Sequence, residues 1–132
     1  MPPTPTISDA EWEVMNVVWD QHPISAADIT HALPRRSTQT VKTLLNRLLK
    51  KGALRYEAQG KKYLYRPAVP RERCLRQASK TFITHVFAGD PHSLVSHLLE
   101  HHRLSEDDLH ALQDQLDQHK QHNKQNSKKR RP

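Results

Sequence analysis

Residues 37–52, which read STQTVKTLLNRLLKKG, most constrain how this chain can fold. Their apolar side chains recur every three or four residues, as they do along one face of an α-helix. Ser37 suits the N-cap because its hydroxyl can accept a hydrogen bond from a free backbone N–H, and Gly52 suits the end of the helix, where φ is positive. The sequence therefore predicts a capped helix with one buried face. The apolar positions are Val41, Leu44, Leu45, Leu48 and Leu49.

The opposite face of this helix is rich in cationic, amide and hydroxyl side chains. Such side chains donate hydrogen bonds to DNA phosphates and to base edges in the major groove. We interpret the helix as a DNA recognition helix, although taken alone it is equally compatible with an ordinary solvated basic face. The candidate DNA contacts are Ser37, Gln39, Thr40, Lys42, Thr43, Asn46, Arg47 and Lys50.

Two further helices are predicted before the recognition helix. Ser8 and Glu11 form a capping box at the start of a helix that runs to about Asp20. Ser25 precedes a second, short helix from about Ala26 to Leu33. A short helix joined by a few residues to a basic helix is typical of a helix-turn-helix.

A β-hairpin is predicted after the recognition helix, because residues 54–58 and 61–66 alternate between apolar and polar side chains. With Gln59-Gly60 as a two-residue turn, Tyr56 faces Tyr63 and Leu54 faces Tyr65. We expect the tyrosines to pack in the core rather than stack on bases. The resulting order, three helices followed by a hairpin, is that of a winged helix.

The tip of this hairpin carries Lys61 and Lys62, which we expect to reach a neighbouring DNA phosphate. They belong to a basic block, because residues 35–73 hold twelve Lys or Arg against two acids. Residues 1–34 hold five acids and no Lys or Arg. A basic block beside an acidic segment, within a net charge of +7, indicates a polyanionic partner.

Residues 71–120 show three apolar stripes with helical spacing. Three short helices bury too little surface to be stable alone, so we expect them to pair with a second copy of the chain. The sequence thus predicts a mainly α fold: a disordered N-terminus (1–6), a winged-helix DNA-binding domain (7–70), a helical dimerisation domain (71–120) and a disordered basic tail (121–132). The candidate dimerisation residues are Leu75, Phe82, Val86, Leu94, Leu98, Leu109, Leu112 and Leu116.

Three segments resemble the penicillinase-repressor family of the BlaI/MecI/CopY type. They read ISDAEWEVMNVVW (7–19), TVKTLLNRLLKKG (40–52) and SEDDL (105–109), within a match from about Ile7 to Gln118. The resemblance implies a bacterial, dimeric winged-helix repressor of transcription that binds a palindromic double-stranded DNA operator. Gln39 and Lys42 stand where some members carry Lys and Arg. Because Lys lacks the bidentate fork of Arg, the operator sequence need not be shared.

The resemblance also bears on how DNA is released. In the antibiotic-resistance branch, a membrane sensor protease leads to cleavage of an Asn-Phe bond in the dimerisation region. The equivalent candidate bond here is His97-Leu98. The copper-responsive branch uses paired C-terminal cysteines, which this chain lacks because Cys74 is its single cysteine.

Other function classes compete with this interpretation. His97 and His101 are four residues apart, so a weak alternative is a metal-sensing regulator. Another is a non-enzymatic RNA-binding or scaffolding winged helix. No catalytic motif or phosphate-binding glycine loop is present, so we expect no enzyme activity and no cofactor. A single cysteine, no signal peptide and no apolar run of roughly 20 residues predict a cytoplasmic protein without membrane insertion.

Overall fold

The computed structural model describes residues 3–130 and is mainly helical, with one small antiparallel sheet. It divides after Val86 into two units, each with its own internal contacts. The first two residues of the N-terminus and the last two of the tail lie outside the described residues. The elements are α1 (Asp9–Asp20), β1 (Ile24–Ser25), α2 (Ala26–Ala32), α3 (Thr38–Lys51), β2 (Leu54–Gln59), β3 (Lys62–Pro67), α4 (Arg71–Val86), α5 (Pro91–His101) and α6 (Glu106–Arg130).

The core of the first unit lies between α1, α2, α3 and the sheet. Helix α3 contributes the stripe predicted from sequence: four of its apolar side chains are buried and Leu49 is partly buried against them. Ser37 Oγ accepts a hydrogen bond from the Thr40 N–H at 3.1 Å, and Gly52 ends the helix with φ of 79°. The predicted capped helix and its buried face are confirmed.

The sheet has three strands in the order β1-β3-β2. The two-residue strand β1 was missed by the sequence analysis, because two residues are too few to show an alternating pattern. In the hairpin, Tyr56 pairs with Tyr65 and Leu54 pairs with Pro67. The predicted pairing of Tyr56 with Tyr63, and of Leu54 with Tyr65, is therefore wrong by two residues along β3.

The register differs because the turn consists of Gly60 and Lys61 rather than Gln59 and Gly60. Gly60 has φ of 62°, and a positive φ at the first loop residue is what a type II′ turn requires. The shift of two residues preserves the alternation of side chains, so the predicted division between the two faces of the hairpin is unchanged.

Helix α4 packs with the first unit, although the sequence analysis assigned it to a separate domain starting at residue 71. Cys74, near its start, is buried in the same core as α1 and α3. The Trp19 indole N–H donates to the Val69 carbonyl at 3.0 Å, just before α4 begins. The boundary at residue 70 is corrected to one after Val86, because α4 contributes Cys74 to the core of the first unit.

The segment before α1 was predicted to be disordered, but its described residues are hydrogen-bonded to helices. Thr4 Oγ1 accepts from Arg73 Nε at 2.9 Å, and the Pro5 carbonyl accepts from Gln77 Nε2 at 3.2 Å. The Thr6 carbonyl accepts from Lys51 Nζ at 2.9 Å. Prolines exclude helix here, but they leave carbonyl acceptors that these side chains reach.

The second unit contains α5 and α6. Asp90 caps α5, with Oδ1 accepting from the His92 N–H at 3.0 Å. Helix α6 continues to Arg130, so the prediction of a disordered tail is wrong for the backbone of residues 121–130. Polar composition argues against burial there, but no proline or glycine interrupts the helix before Pro132. None of the described helices is long and apolar enough to cross a membrane.

Candidate nucleic-acid interface

The exposed face of α3 carries the side chains predicted to contact DNA. Of the eight candidates on this helix, seven are exposed and Thr40 is partly buried. Gln39, Lys42, Thr43, Asn46 and Lys50 form one stripe, because they are spaced three or four residues apart, and Arg47 lies beside it. The helix therefore buries its leucines and presents a continuous polar surface.

Two hydroxyl groups on α3 are already engaged within the helix. Ser37 Oγ accepts from the Thr40 N–H and donates to Thr40 Oγ1 at 3.0 Å. Thr43 Oγ1 donates to the Gln39 carbonyl at 3.0 Å. Ser37 therefore caps the helix. Because the Ser37 and Thr43 hydroxyls already donate their protons within the protein, they can offer DNA mainly hydrogen-bond acceptors.

The cations of the basic block fall into two groups. Lys42, Arg47 and Lys50 form no ion pair with any side chain that the structure describes. Arg36, by contrast, is ion-paired with Glu13, and Arg66 Nε lies 3.3 Å from a carboxylate oxygen of β2. The cations on the exposed face of α3 are therefore available to a polyanion, and so are the hairpin lysines Lys61 and Lys62, which also form no ion pair with a described side chain.

Lys51 is a cation of the basic block whose partners lie within the protein. Its ammonium donates to Glu11 Oε1 as well as to the Thr6 carbonyl. The Glu11 side chain is only 1% exposed, and its Oε1 also accepts from the Ser8 N–H at 2.8 Å. Burial pushes the pKa of Glu11 upward, but the hydrogen bonds from Lys51 and Ser8 outweigh it and leave the pKa lowered.

A groove of about 520 Å³ separates α3 from the hairpin. Lys42 and Asn46 line its helical side, and Lys61, Lys62 and Tyr63 line its hairpin side. The structure therefore brings both predicted hairpin lysines next to the polar stripe of α3. The first residues of α2, Ala26 and Ala27, also line the groove.

The three tyrosines of the hairpin differ in exposure. Tyr65 is 7% exposed, whereas Tyr56 is 50% and Tyr63 is 53% exposed. Burial raises the pKa of the Tyr65 phenol. The expectation that all three pack in the core is correct for Tyr65 alone, because the hairpin extends beyond the helices on which its base rests. Tyr63 was not predicted as a residue of the groove, and no local signal would have indicated it, because the register shift leaves the two faces of the hairpin unchanged.

The candidate dimerisation residues lie on α4, α5 and α6. All are exposed except Leu94, which is partly buried. Their pairing with a second copy stays a prediction. The candidate cleavage bond His97-Leu98 lies within α5.

The histidines of α5 bear on the metal-sensing alternative. The rings of His97 and His101 have centroids 4.5 Å apart. Among the described residues, however, no three His, Cys, Asp or Glu side chains are grouped so that they could hold a metal ion.

Comparison with known proteins places this geometry in a family. The penicillinase repressor family matches residues 7–118. The penicillinase repressor of Bacillus licheniformis is 34% identical over 124 residues, which cover 92% of this chain and 97% of that protein. The methicillin resistance regulatory protein MecI of Staphylococcus aureus strain N315 is 35% identical over 113 residues, covering 83% and 92%.

Solved structures agree with the fold. The DNA-binding domain of the repressor BlaI has 37% identity and a TM-score of 0.50, covering 55% of this chain and 93% of that domain. A mutant of S. aureus MepR, bound to an oligodeoxyribonucleotide, has 19% identity and a TM-score of 0.50 over 85% of this chain and 76% of its own. At that identity MepR shows a shared winged-helix fold alone. The chain belongs to the penicillinase-repressor family and is a DNA-binding regulator of transcription rather than an enzyme.

Proposed function

We propose that this protein represses transcription by binding, as a homodimer, to a palindromic operator. The observation that carries the proposal is the exposed stripe of α3, whose cations form no ion pair with any described side chain. In this proposal α3 enters the major groove. Gln39, Lys42, Asn46 and Arg47 supply donors for base edges there, while Lys61 and Lys62 hold the adjacent phosphates.

Duplex DNA fits this surface better than RNA does. Helix α3 is a rigid helix capped at both ends, and it presents its contacts along its length. The major groove of B-DNA admits such a helix, whereas that of A-form RNA is too narrow. The relative named a penicillinase repressor and the solved DNA-binding domain of the repressor BlaI support the same choice.

The dimer is supported by apolar side chains that remain exposed in both units. Phe82 and Val86 are exposed on α4, and Leu109, Leu112 and Leu116 on α6. Exposed apolar surface of this kind marks an interaction site. A two-fold dimer places two copies of α3 on half-sites related by the same symmetry, so we expect an operator that is a palindrome.

Release of DNA is proposed to follow loss of the dimer. The His97-Leu98 bond lies in a helix with no fully buried residue, so little packing opposes its opening to a protease. We propose a membrane sensor protease as the upstream partner. Detection by mass spectrometry of a fragment ending at His97, in cells exposed to the inducer, tests this step. An intact chain in induced cells that have lost repression would contradict it.

A gel-shift titration tests the proposed function as a whole. The full chain is titrated against the DNA upstream of its own gene and against the same DNA with its palindrome scrambled, at physiological salt. We expect at least about a thousandfold preference for the intact palindrome, which is typical of specific over nonspecific binding. Equal affinity for the two DNAs would contradict a sequence-specific repressor.

A further inference from the structure

The tyrosines of the hairpin form a row that leads from the core to the groove. Tyr65 is buried, and the Tyr56 ring lies 6.5 Å from it between ring centroids. Tyr63 follows, with its ring centroid 4.7 Å from that of Tyr56 at an interplanar angle of 55°. Tilted aromatic pairs at this separation attract one another. The outer ring is therefore held by a chain of contacts that ends in the core.

Tyr63 stands where a DNA strand would pass. It lines the groove beside Lys61 and Lys62, with Lys42 and Asn46 on the opposite side. None of the described residues forms a hydrogen bond with its hydroxyl, so that group remains available as a donor. Three lysines and the exposed phenol of Tyr63 thus line one groove, whose other tyrosine, Tyr65, is buried. Lysines and phenols both bond phosphate oxygens.

The Tyr63 side chain is more rigid than those of the neighbouring lysines. It has two rotatable bonds, so little conformational entropy is lost when it makes a contact. The lysines are long and flexible, and they act as point charges. Because the Tyr63 ring is braced by Tyr56, its hydroxyl can fix where the DNA backbone lies, whereas the lysines provide general attraction.

We propose that Tyr63 donates a hydrogen bond to a DNA backbone phosphate seated in the groove between α3 and the hairpin, and that Tyr56 is the positioning residue that holds the Tyr63 ring. This inference rests on the proposed DNA-binding function and adds a neutral backbone contact to its cationic ones. It fixes the hairpin against the DNA strand that borders the major groove containing α3.

Salt dependence separates this hydrogen bond from the contribution of the lysines. Tyr63→Phe removes only the hydroxyl, so we expect affinity for operator DNA about threefold to tenfold weaker. The slope of log affinity against log salt should be unchanged, because a neutral donor releases no counterion. Lys62→Ala should instead flatten that slope by about one. Fluorescence anisotropy with labelled operator DNA at several salt concentrations measures both quantities.

Variants of Tyr56 test positioning. Tyr56→Phe keeps the bracing ring, so it should rescue the binding that Tyr56→Ala loses. Tyr56→Ala removes the ring and should weaken binding about as much as Tyr63→Phe does, with an unchanged far-ultraviolet circular dichroism spectrum and thermal midpoint to show that the fold is intact. If Tyr56→Ala does unfold the chain, Tyr63→Phe alone decides the proposal.

The outcomes distinguish this inference from the proposed function. If wild type prefers its operator but Tyr63→Phe binds equally well, the hydroxyl makes no contact and the inference fails while the function stands. A Tyr63→Phe protein with a reduced salt slope also overturns it, because the loss would then come from a displaced lysine. If wild type shows no preference for its operator, the proposed function itself fails.

Discussion

Replacing Lys51 with methionine is expected to lower the free energy of unfolding more than it weakens DNA binding. Lys51 lies next to Lys50 in sequence, but the two side chains do different things. Lys50 is exposed on α3 and forms no ion pair with a described side chain. Lys51 donates to Glu11 Oε1 and to the Thr6 carbonyl, and so connects the end of α3 to the start of α1.

The expected magnitude follows from the burial of the two partners. Glu11 is 1% exposed, and its Oε2 has no hydrogen-bond partner among the described residues, so the carboxylate depends on its Oε1 contacts. Removing one member of a fully buried ion pair costs about 3–5 kcal/mol, whereas exposed pairs contribute about 0–1 kcal/mol. Lys51 is 37% exposed and the Ser8 N–H remains on Glu11. An intermediate loss of about 1–3 kcal/mol is expected.

Urea denaturation of Lys51→Met and Lys50→Met, followed by circular dichroism, makes the comparison. Lys50→Met is the matched control, with an expected change in the free energy of unfolding within about 0.5 kcal/mol. For affinity to operator DNA we expect the opposite order: Lys50→Met should weaken binding more than Lys51→Met does, because Lys50 is a proposed DNA contact. Equal stability of the two variants would refute the assignment of Lys51 to the Glu11 contact.

The same pair predicts a pH dependence. The pKa of Glu11 is lowered below its ordinary value of 4.5, so its contribution to stability is present above about pH 4.5 and is lost as pH falls through the lower folded-state pKa. In the Lys51→Met variant, Glu11 remains buried but loses the ammonium group that lowers its pKa. The stability difference between wild type and variant should therefore be largest near neutral pH and should shrink below about pH 4.5. A difference that stays constant down to pH 3 would contradict this account of the pair.

Three further experiments test the core and the dimer. Leu48→Ala should cost about 2–5 kcal/mol in urea denaturation because Leu48 is fully buried in α3, and a loss below about 1 kcal/mol would refute its place in the core. Cys74 is 2% exposed and burial raises the pKa of its thiol, so iodoacetamide should label it only as the chain unfolds; rapid labelling of the native protein would be inconsistent with this. Phe82→Asp and Leu112→Asp should sediment as monomers, and undiminished dimers would exclude those side chains from the interface.

Helix α3 could be predicted from sequence because every signal in it is local. Its leucines, its Ser37 cap and its terminal Gly52 lie within sixteen residues, and each specifies the same helix. The exposed polar stripe of α3 could also be predicted, because the apolar positions define the buried face and the remaining positions must lie on the opposite face. The exposed positions of the candidate DNA contacts on α3 could therefore be predicted from the sequence alone.

The hairpin shows where local signals were ambiguous. Gln59-Gly60 and Gly60-Lys61 are both plausible two-residue turns, and the alternation of apolar residues is satisfied equally by either register. The conformation of Gly60 decided between them. Exposure of Tyr56 and Tyr63 depends on how far the hairpin extends beyond the helices, which no local pattern reports.

Contacts distant in sequence account for the remaining differences. The carbonyls of Pro5 and Thr6 are satisfied by side chains from α4 and α3, so composition alone predicted disorder where the chain is hydrogen-bonded. Cys74 joins a core formed mainly by residues 14–69, which moved the domain boundary to the end of α4. The partners of the Thr6 and Pro5 carbonyls lie 45 and 72 residues away, beyond the reach of any local pattern.

Base recognition by α3 is tested most directly by Arg47→Ala, titrated by fluorescence anisotropy on the palindromic operator and on its scrambled counterpart at one fixed salt concentration. If Arg47 contacts a base, affinity for the palindrome should fall by about 1–3 kcal/mol while affinity for scrambled DNA changes little. An equal loss on both DNAs would reduce Arg47 to a phosphate contact. No loss on either would contradict the assignment of this face of α3 to DNA.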